Sequence, residues 1–259
     1  MHEDLLQAYD DQLRGAAELH GEAEVERLGP LWLAQFRGDR GFITYRSLPA
    51  DAREIAELVD AALEHFRERT AAASVEWKTR GHDLAPGLED ALLERGFVAE
   101  EPESIMVGRA EGLVTNIDLP QGVEVRRASS VEDIRASYEM QGLVFDDPDW
   151  RSRAEDAVRR RESGEQQELW IAVADGAVVS TGRLEPVEGT DFAGIWGGAT
   201  LPEWRGRGIY RALTSRRAEV ALALGKTLIN SDSTEFSRPI LERSGLVKVS
   251  TTTPYVWTR

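Results

Sequence analysis

Apolar and polar positions alternate along the chain in a way that predicts short strands separated by amphipathic helices. Between residues 49 and 69 the apolar positions recur at helical spacing. Ile55, Leu58, Val59, Ala62, Leu63 and Phe66 fall on one face, which predicts a helix. Before it, the first 20 or so residues read as a polar helix, and glycine turns at Gly38 and Gly41 bracket two short apolar runs, LWLAQF (31–36) and GFITYRS (41–47). After it, SVEWKT (74–79) and SIMVGR (104–109) are strand candidates, and LEDALLERGF (88–97) is a short helix stopped at Gly96. Residues 108–122 read as a connecting segment.

The second half repeats this grammar. A strand is expected over 122–128, and helices over about 130–141 and 150–162. ELWIAVAD (168–175) and AVVSTGRLE (177–185) form a hairpin about Asp175–Gly176, a strong two-residue turn signal. FAGIWGGATL (192–201) is a strand carrying a double glycine. A helix over about 208–224 places Ile209, Leu213, Val220 and Leu224 near one stripe, with Gly225 as its stop. Strand 227–232, helix 236–244 and strands near 246–250 and 254–258 complete the order.

LERGFVAEEPESIMVGR (93–109) resembles LERSGLVKVSTTTPYVWTR (241–259). Each reads as a helix end, a glycine stop, a strand and a final strand. A duplication explains the echo; chance recurrence of a common local pattern is the alternative. The chain divides on this reading into an N-terminal lobe (1–110), a linker (111–121) and a C-terminal domain (122–259).

Composition narrows the chemistry. The 259 residues are 41% hydrophobic and 30% charged, enough for a sizeable core. No apolar stretch approaches a membrane span, and the acidic start lacks a secretory pattern, so a cytoplasmic protein is expected. The absence of cysteine excludes disulfides, thiolate metal sites and a cysteinyl intermediate. A net charge of −15 argues against nucleic acid and anionic membranes as partners. Against this background, Leu201 to Arg217 holds Arg205, Arg207, Arg211, Arg216 and Arg217 with only Glu203 opposing them. An anionic ligand would account for this basic island.

The island contains LPEWRGRGIYRALTSRRA, at a strand-to-helix junction. Backbone amides and the helix dipole make such a junction suited to anions. Gly206 and Gly208 permit close backbone approach, and Arg205 and Arg207 can pair with phosphate oxygens. The spacing is neither the dinucleotide fingerprint nor the Walker loop.

Residues 205–210, RGRGIY, resemble the [Q/R]xxGx[G/A] loop of the GNAT superfamily of N-acetyltransferases. The resemblance extends over about 121–259 through the order of elements, and departs at Tyr210, where Gly or Ala is usual. It implies an α/β (α+β) fold: a mixed, mostly antiparallel sheet with helices on both faces, beside a smaller N-terminal lobe that a degenerate copy would explain. It implies acetyl-CoA as co-substrate, without a metal. The diphosphate would meet Arg205, Gly206 and the amides of Arg207, Gly208, Ile209 and Tyr210. The strand end at Ala199, Thr200 and Leu201, after a bulge at Gly197–Gly198, would pair with pantetheine. Ser233 and Thr234 stand where pantetheine-contacting polar residues occur, though a helix N-cap explains them equally.

The helpers that the resemblance implies are missing. Gly194 stands at the usual Glu position and Leu241 at the usual Tyr position. All four histidines (2, 20, 65, 82) precede residue 83. The remaining candidates are Asp232 and Glu185 as base and Tyr255 as acid. Trp196 and Trp150 are candidates for an acceptor pocket, or plain core. The expected activity is acyl transfer, acetyl foremost, to a small-molecule or peptide amine in a ternary complex. The alternatives are a CoA-binding or interaction protein without catalysis, and a nucleotide-binding module. A homodimer is a further possible state.

Overall fold

A computed structural model describes residues 2–19, 23–36, 39–164 and 168–259. Gly38, read above as a turn, and His20 lie outside the described residues. In chain order the first elements are α1 (His2–Gln12), a 3₁₀ turn (Gly15–Glu18), β1 (Ala23–Leu28), β2 (Leu31–Phe36) and β3 (Arg40–Tyr45). They are followed by α2 (Ala52–Arg69), β4 (Ser74–Lys78), α3 (Leu88–Glu94), β5 (Val98–Ala99), β6 (Glu103–Arg109) and α4 (Ala110–Leu113). Next come β7 (Val123–Arg127), α5 (Val131–Phe145), α6 (Trp150–Glu162), β8 (Glu168–Ala174), β9 (Ala177–Pro186) and β10 (Phe192–Thr200). The chain ends with α7 (Ile209–Ala223), β11 (Leu228–Ser233), α8 (Arg238–Ser244), β12 (Val247–Thr252) and β13 (Pro254–Thr258).

These elements form two compact units. One comprises Met1–Val107, Asp232–Ile240 and Val247–Arg259; the other comprises Gly108–Ser231 and Leu241–Leu246. The units therefore cut the chain differently from a contiguous division at 111–121. The cause is strand pairing: β13 finds its partners in β4 and β5, and β12 pairs with β6, all within the first unit. The connecting segment also carries a helical turn, α4, whose Ala110 and Leu113 are buried.

In the first unit the sheet order is β1-β2-β3-β4-β13-β5. All neighbours are antiparallel except β3 and β4, which are parallel as a helical crossover requires. Asp51 caps α2 by accepting from the amides of Arg53 and Glu54. The face predicted for that helix is the buried one: Ile55, Val59, Ala62, Leu63 and Phe66 pack with Leu33, Ile43, Val75 and Trp77. The strand β1 was not legible in the sequence. Within it, Glu24, Val25, Glu26 and Arg27 are exposed and three of them are charged, so no apolar alternation marks it.

In the second unit the strands run β11-β10-β9-β8-β7, with only β10 and β11 parallel. The hairpin turns at Asp175 (φ 50°) and Gly176 (φ 80°), the double positive φ of a type I′ turn. Ile134, Tyr138, Ala154, Ala157 and Val158 of α5 and α6 pack with Leu169 and Ile171. Ile209 and Leu213 of α7 pack with Ala172, Ala174 and Val179. Opposite parity of these β8 residues puts the helices on both faces of the sheet. Leu224, placed in the apolar stripe of α7 by spacing, is instead about half exposed; Ala218 and Ala221 complete the buried face.

Both units share an element order. Three antiparallel strands (β1-β2-β3, β8-β9-β10) precede a helix (α2, α7) and a strand parallel to the third (β4, β11). The echo between 93–109 and 241–259 falls on equivalent elements of that order. Among the described residues no helix is long and apolar enough to cross a membrane.

Candidate functional site

The second unit contains an opening in its sheet. Strands β10 and β11 pair in parallel from Phe192↔Leu228 to Gly194↔Asn230, and the register ends there. Beyond it, Ser231 Oγ donates to the Ile195 carbonyl at 2.9 Å. On its other side β10 stays paired with β9, but between Trp196 and Ala199 it holds one residue more than its partner. Gly197, at φ 60°, supplies the left-handed residue that this bulge needs. The side-chain oxygen of Asn230 is buried at the mouth of the opening and has no hydrogen-bond partner among the described residues. A buried amide oxygen without a donor costs on the order of 1–3 kcal/mol, so the position suits an N–H group.

Past the bulge the strand end is tied down. Ser180 Oγ donates to the Ala199 carbonyl and contacts Thr200 Oγ1, both at 2.7 Å, and the Leu201 amide donates to Val179. A 3₁₀ turn at Pro202–Trp204 then leads into Arg205–Gly206–Arg207–Gly208. Arg205 donates to the Thr200 carbonyl, and Arg207 lies over the Trp204 ring at 4.9 Å. Gly206 (φ 73°) and Gly208 (φ 80°) are both left-handed; a Cβ on Gly206 would meet nothing within 4 Å. α7 starts at Gly208 with no side-chain cap, and its first helical bond is Ala212 to Gly208. The amides of Gly208, Ile209, Tyr210 and Arg211 therefore lack intrahelical acceptors and form the positive end of the dipole.

Two residues of the basic island do something the sequence did not disclose. Arg217, counted there as ligand-facing, is fully buried in α7. Its guanidinium donates to Leu213, Arg183 and Thr214 oxygens, and burial lowers its pKa. The guanidinium lies close over Gly182: a Cβ there would sit 2.6 Å from Arg217 Nη1, so a larger residue would displace the arginine. Tyr210 folds onto the strand: a Cβ on Gly198 would lie 2.6 Å from its ring and 2.8 Å from its hydroxyl. The bulky residue of the loop thus packs at the bulge, which explains the second glycine of the pair.

The structure also explains the missing Glu and Tyr. A Cβ on Gly194 would collide with the Trp196 indole at 2.3 Å, so that indole fills the side-chain space of residue 194. Leu241 is completely buried core. Directly across from Gly194 on β9 stands Glu185, and across from Trp196 stands Arg183. Cross-strand partners share a face, so Glu185 lies beside the position where a strand carboxylate is absent. Glu185 is 38% exposed and pairs with Arg183 at 3.2 Å. Burial works against the Arg183 charge, but the Glu185 carboxylate more than restores it and raises its pKa. Gln141 of α5 donates to the Gly197 carbonyl at 3.0 Å. Trp150 packs against Gly142 of α5, whose own Cβ would leave it no room, so it is core material.

The other expected site residues belong to the first unit. Asp232 is ion-paired with Lys78 at 2.6 Å, both mostly buried. Burial opposes the Lys78 charge, but Asp232 and Glu18 hold its pKa well above the usual range. Ser233 is buried and Thr234 closes a turn with Ser237 and Arg238. Tyr255 lies on β13 between Trp77 and Ala99. Thus Glu185, Ala199 to Leu201 and Arg205 to Tyr210 gather in one unit, whereas Asp232, Ser233, Thr234 and Tyr255 lie in the other. Among the described residues no group of three or more His, Cys, Asp or Glu is arranged to hold a metal ion.

Residues 131–245 match the acetyltransferase (GNAT) family. Solved structures share the fold over almost the whole chain. A GCN5-related N-acetyltransferase from Kribbella flavida is 17% identical with a TM-score of 0.69, covering 98% of this chain and 93% of its own. A tandem GNAT protein from the clavulanic acid biosynthesis pathway is 14% identical with a TM-score of 0.62, covering 99% and 95%. A GCN5-related N-acetyltransferase from Sphaerobacter thermophilus is 16% identical with a TM-score of 0.65, covering 88% and 76%. No curated relative matches the sequence.

Proposed function

We propose that the second unit transfers an acyl group, acetyl foremost, from acyl-CoA to a small-molecule or peptide amine by direct attack in a ternary complex. The observation that carries this reading is the coupling of two features. Strand β10 leaves β11 after Gly194, and it leads within a few residues into a glycine–arginine loop whose helix amides are free to meet an anion. The first suits a pantetheine arm that hydrogen-bonds like a strand; the second suits a diphosphate.

The residues fit CoA in chemical terms. Arg205, Gly206, Arg207, Gly208, Ile209 and Tyr210 would hold the diphosphate, and Ala199, Thr200 and Leu201 the pantetheine. Acyl-CoA, when bound, supplies the activated thioester. The amides at Gly197 and Gly198 are the donors for the charge that develops on its carbonyl oxygen. Asn230 offers an acceptor for an N–H group. Glu185 is the carboxylate best placed to take the proton of the attacking amine through water. The Tyr210 hydroxyl, packed at the bulge, is the group in this unit that could return a proton to the departing thiolate. Asp232 is bound to Lys78 and is left out of this assignment, as are Ser233, Thr234 and Tyr255.

A second reading, CoA binding without catalysis, draws on Gly194 and Leu241. Thiol release from acetyl-CoA across a panel of amines separates the two: transfer gives amine-dependent release, and binding alone gives none. For an acceptor found in this way, initial rates should give intersecting double-reciprocal lines. Parallel lines would refute direct attack.

A further inference from the structure

The first unit holds a chain of hydrogen bonds that acyl transfer in the second unit does not use. His82, in the segment after β4, contacts Asp10 of α1 through Nε2 at 3.0 Å and Ser250 of β12 through Nδ1 at 2.6 Å. Residues 10, 82 and 250 meet from three separate elements, and all three are partly exposed. Burial raises the proton affinity of Asp10, but hydrogen bonds and charge from His82 and Arg14 outweigh it and lower its pKa. Asp10 is therefore a carboxylate and can only accept. His82 therefore donates from Nε2 to Asp10, and in the neutral imidazole the Nδ1 lone pair accepts from the Ser250 hydroxyl.

The surroundings fix this arrangement. Arg14 donates to Asp10 at 3.2 Å and to both oxygens of Asp83, the residue after His82, at 2.7 and 3.0 Å. The Gly81 amide, on the other side of His82, donates to the Thr251 carbonyl at 2.9 Å. Strand β12 lies at the end of its sheet's order, and its pairing with β6 shifts register between Lys248 and Ser250. A bulge at Val249 thus directly precedes the serine. Bulges of this kind aim a side chain and leave a residue without a ladder partner.

We propose that Ser250 is an activated nucleophile, with His82 as its base and Asp10 as the group that orients the base, and that the first unit cleaves an activated acyl ester or thioester. The constellation has the roles of a serine hydrolase triad with the two imidazole nitrogens exchanged. Ser250 Oγ bonds to the acyl carbon while its proton passes to His82 Nδ1. The C–O or C–S bond of the substrate breaks, and the leaving group takes that proton. Water, deprotonated by the same nitrogen, then releases the carboxylic acid and restores Ser250. Backbone amides at the Val249 bulge are the donors for the oxyanion. This site shares no residue with the cofactor loop of the second unit.

The test uses the full chain with p-nitrophenyl acetate as substrate and a fluorophosphonate as covalent probe. The account expects hydrolysis to fall 10²- to 10⁴-fold in both Ser250→Ala and His82→Gln, the range of a lost general base. It expects the fluorophosphonate adduct on the peptide containing Ser250 and nowhere else. Asp10→Asn should lower hydrolysis and move its pH profile, because the imidazole loses its anionic partner. Gly206→Glu, which disables the cofactor loop, should hydrolyse the ester at the wild-type rate. Should Ser250→Ala fail to fold, labelling of the wild-type protein and the His82→Gln rate decide alone. An unlabelled Ser250, or a folded Ser250→Ala or His82→Gln with wild-type hydrolysis, overturns the proposal.

Discussion

Replacing Gly206 by Glu tests the cofactor loop with little risk to the fold. Gly206 sits at φ 73°, and a Cβ there would meet no atom within 4 Å. The substitution therefore creates no clash in the free protein; it carries the cost of a left-handed non-glycine residue, about 1–2 kcal/mol. A Gly206→Ala variant carries the same cost without the charge. The effect on CoA comes from the carboxylate. Two unit charges about 5 Å apart, at an effective dielectric near 20, repel by about 3 kcal/mol, and a diphosphate bears more than one. Screening at physiological salt trims this. The expected weakening of CoA binding is thus about 100-fold for Gly206→Glu beyond that of Gly206→Ala, by roughly 1.4 kcal/mol per decade. Titration calorimetry with CoA measures it, with thermal unfolding of each variant as the fold control. A folded Gly206→Glu protein within threefold of the Gly206→Ala affinity would refute the loop assignment. Gly208 is the poorer target, since its Cβ would lie 3.1 Å from the Ile117 side chain, which would have to shift to make room.

Three further outcomes follow from the geometry. Glu185→Gln should lower turnover by roughly 10²- to 10⁴-fold with CoA affinity unchanged, measured by steady-state kinetics and calorimetry; unchanged turnover between pH 6 and 9 excludes Glu185 as base. Asp232→Asn should cost about 1–3 kcal/mol in chemical denaturation, because it leaves the buried Lys78 ammonium with Glu18 as its remaining carboxylate, while a catalytic role alone would leave stability intact. Burial raises the proton affinity of Glu18, but Arg80, Lys78 and Thr44 overcome it and hold its pKa at about 2, below the usual 4.5. A depressed carboxylate contributes stability above its unfolded pKa and loses it as pH falls through the folded one. Glu18→Gln should therefore flatten the loss of stability between about pH 4.5 and 2, by an amount on the order of 3 kcal/mol, followed by urea unfolding at each pH.

What the sequence disclosed was local. The Asp175–Gly176 turn, the α2 face and the strand–loop–helix junction at 198–210 are each written within a dozen residues, and each stands in the structure where the pattern puts it. What it hid was non-local. Lys78 and Asp232 are 154 residues apart, so nothing in the pattern near Asp232 shows that its carboxylate is already engaged. Likewise β13 reads as the last strand of the domain that precedes it, yet its ladder partners are Ser74–Lys78 and Val98–Ala99. Gly194 looked like the simple loss of an acid; only the structure shows the Trp196 indole in that space and Glu185 on the neighbouring strand. Composition misled at Arg217, where a charge count could not distinguish a ligand-facing arginine from one buried over Gly182.

The central claim is that the second unit moves an acyl group from CoA to an amine, and release of CoA thiol from acetyl-CoA over a panel of amines tests it most directly. The account predicts saturable release with at least one amine, lost in Gly206→Glu and reduced at least 100-fold in Glu185→Gln. Tight CoA binding with no release above the amine-free background for any member of the panel would contradict it.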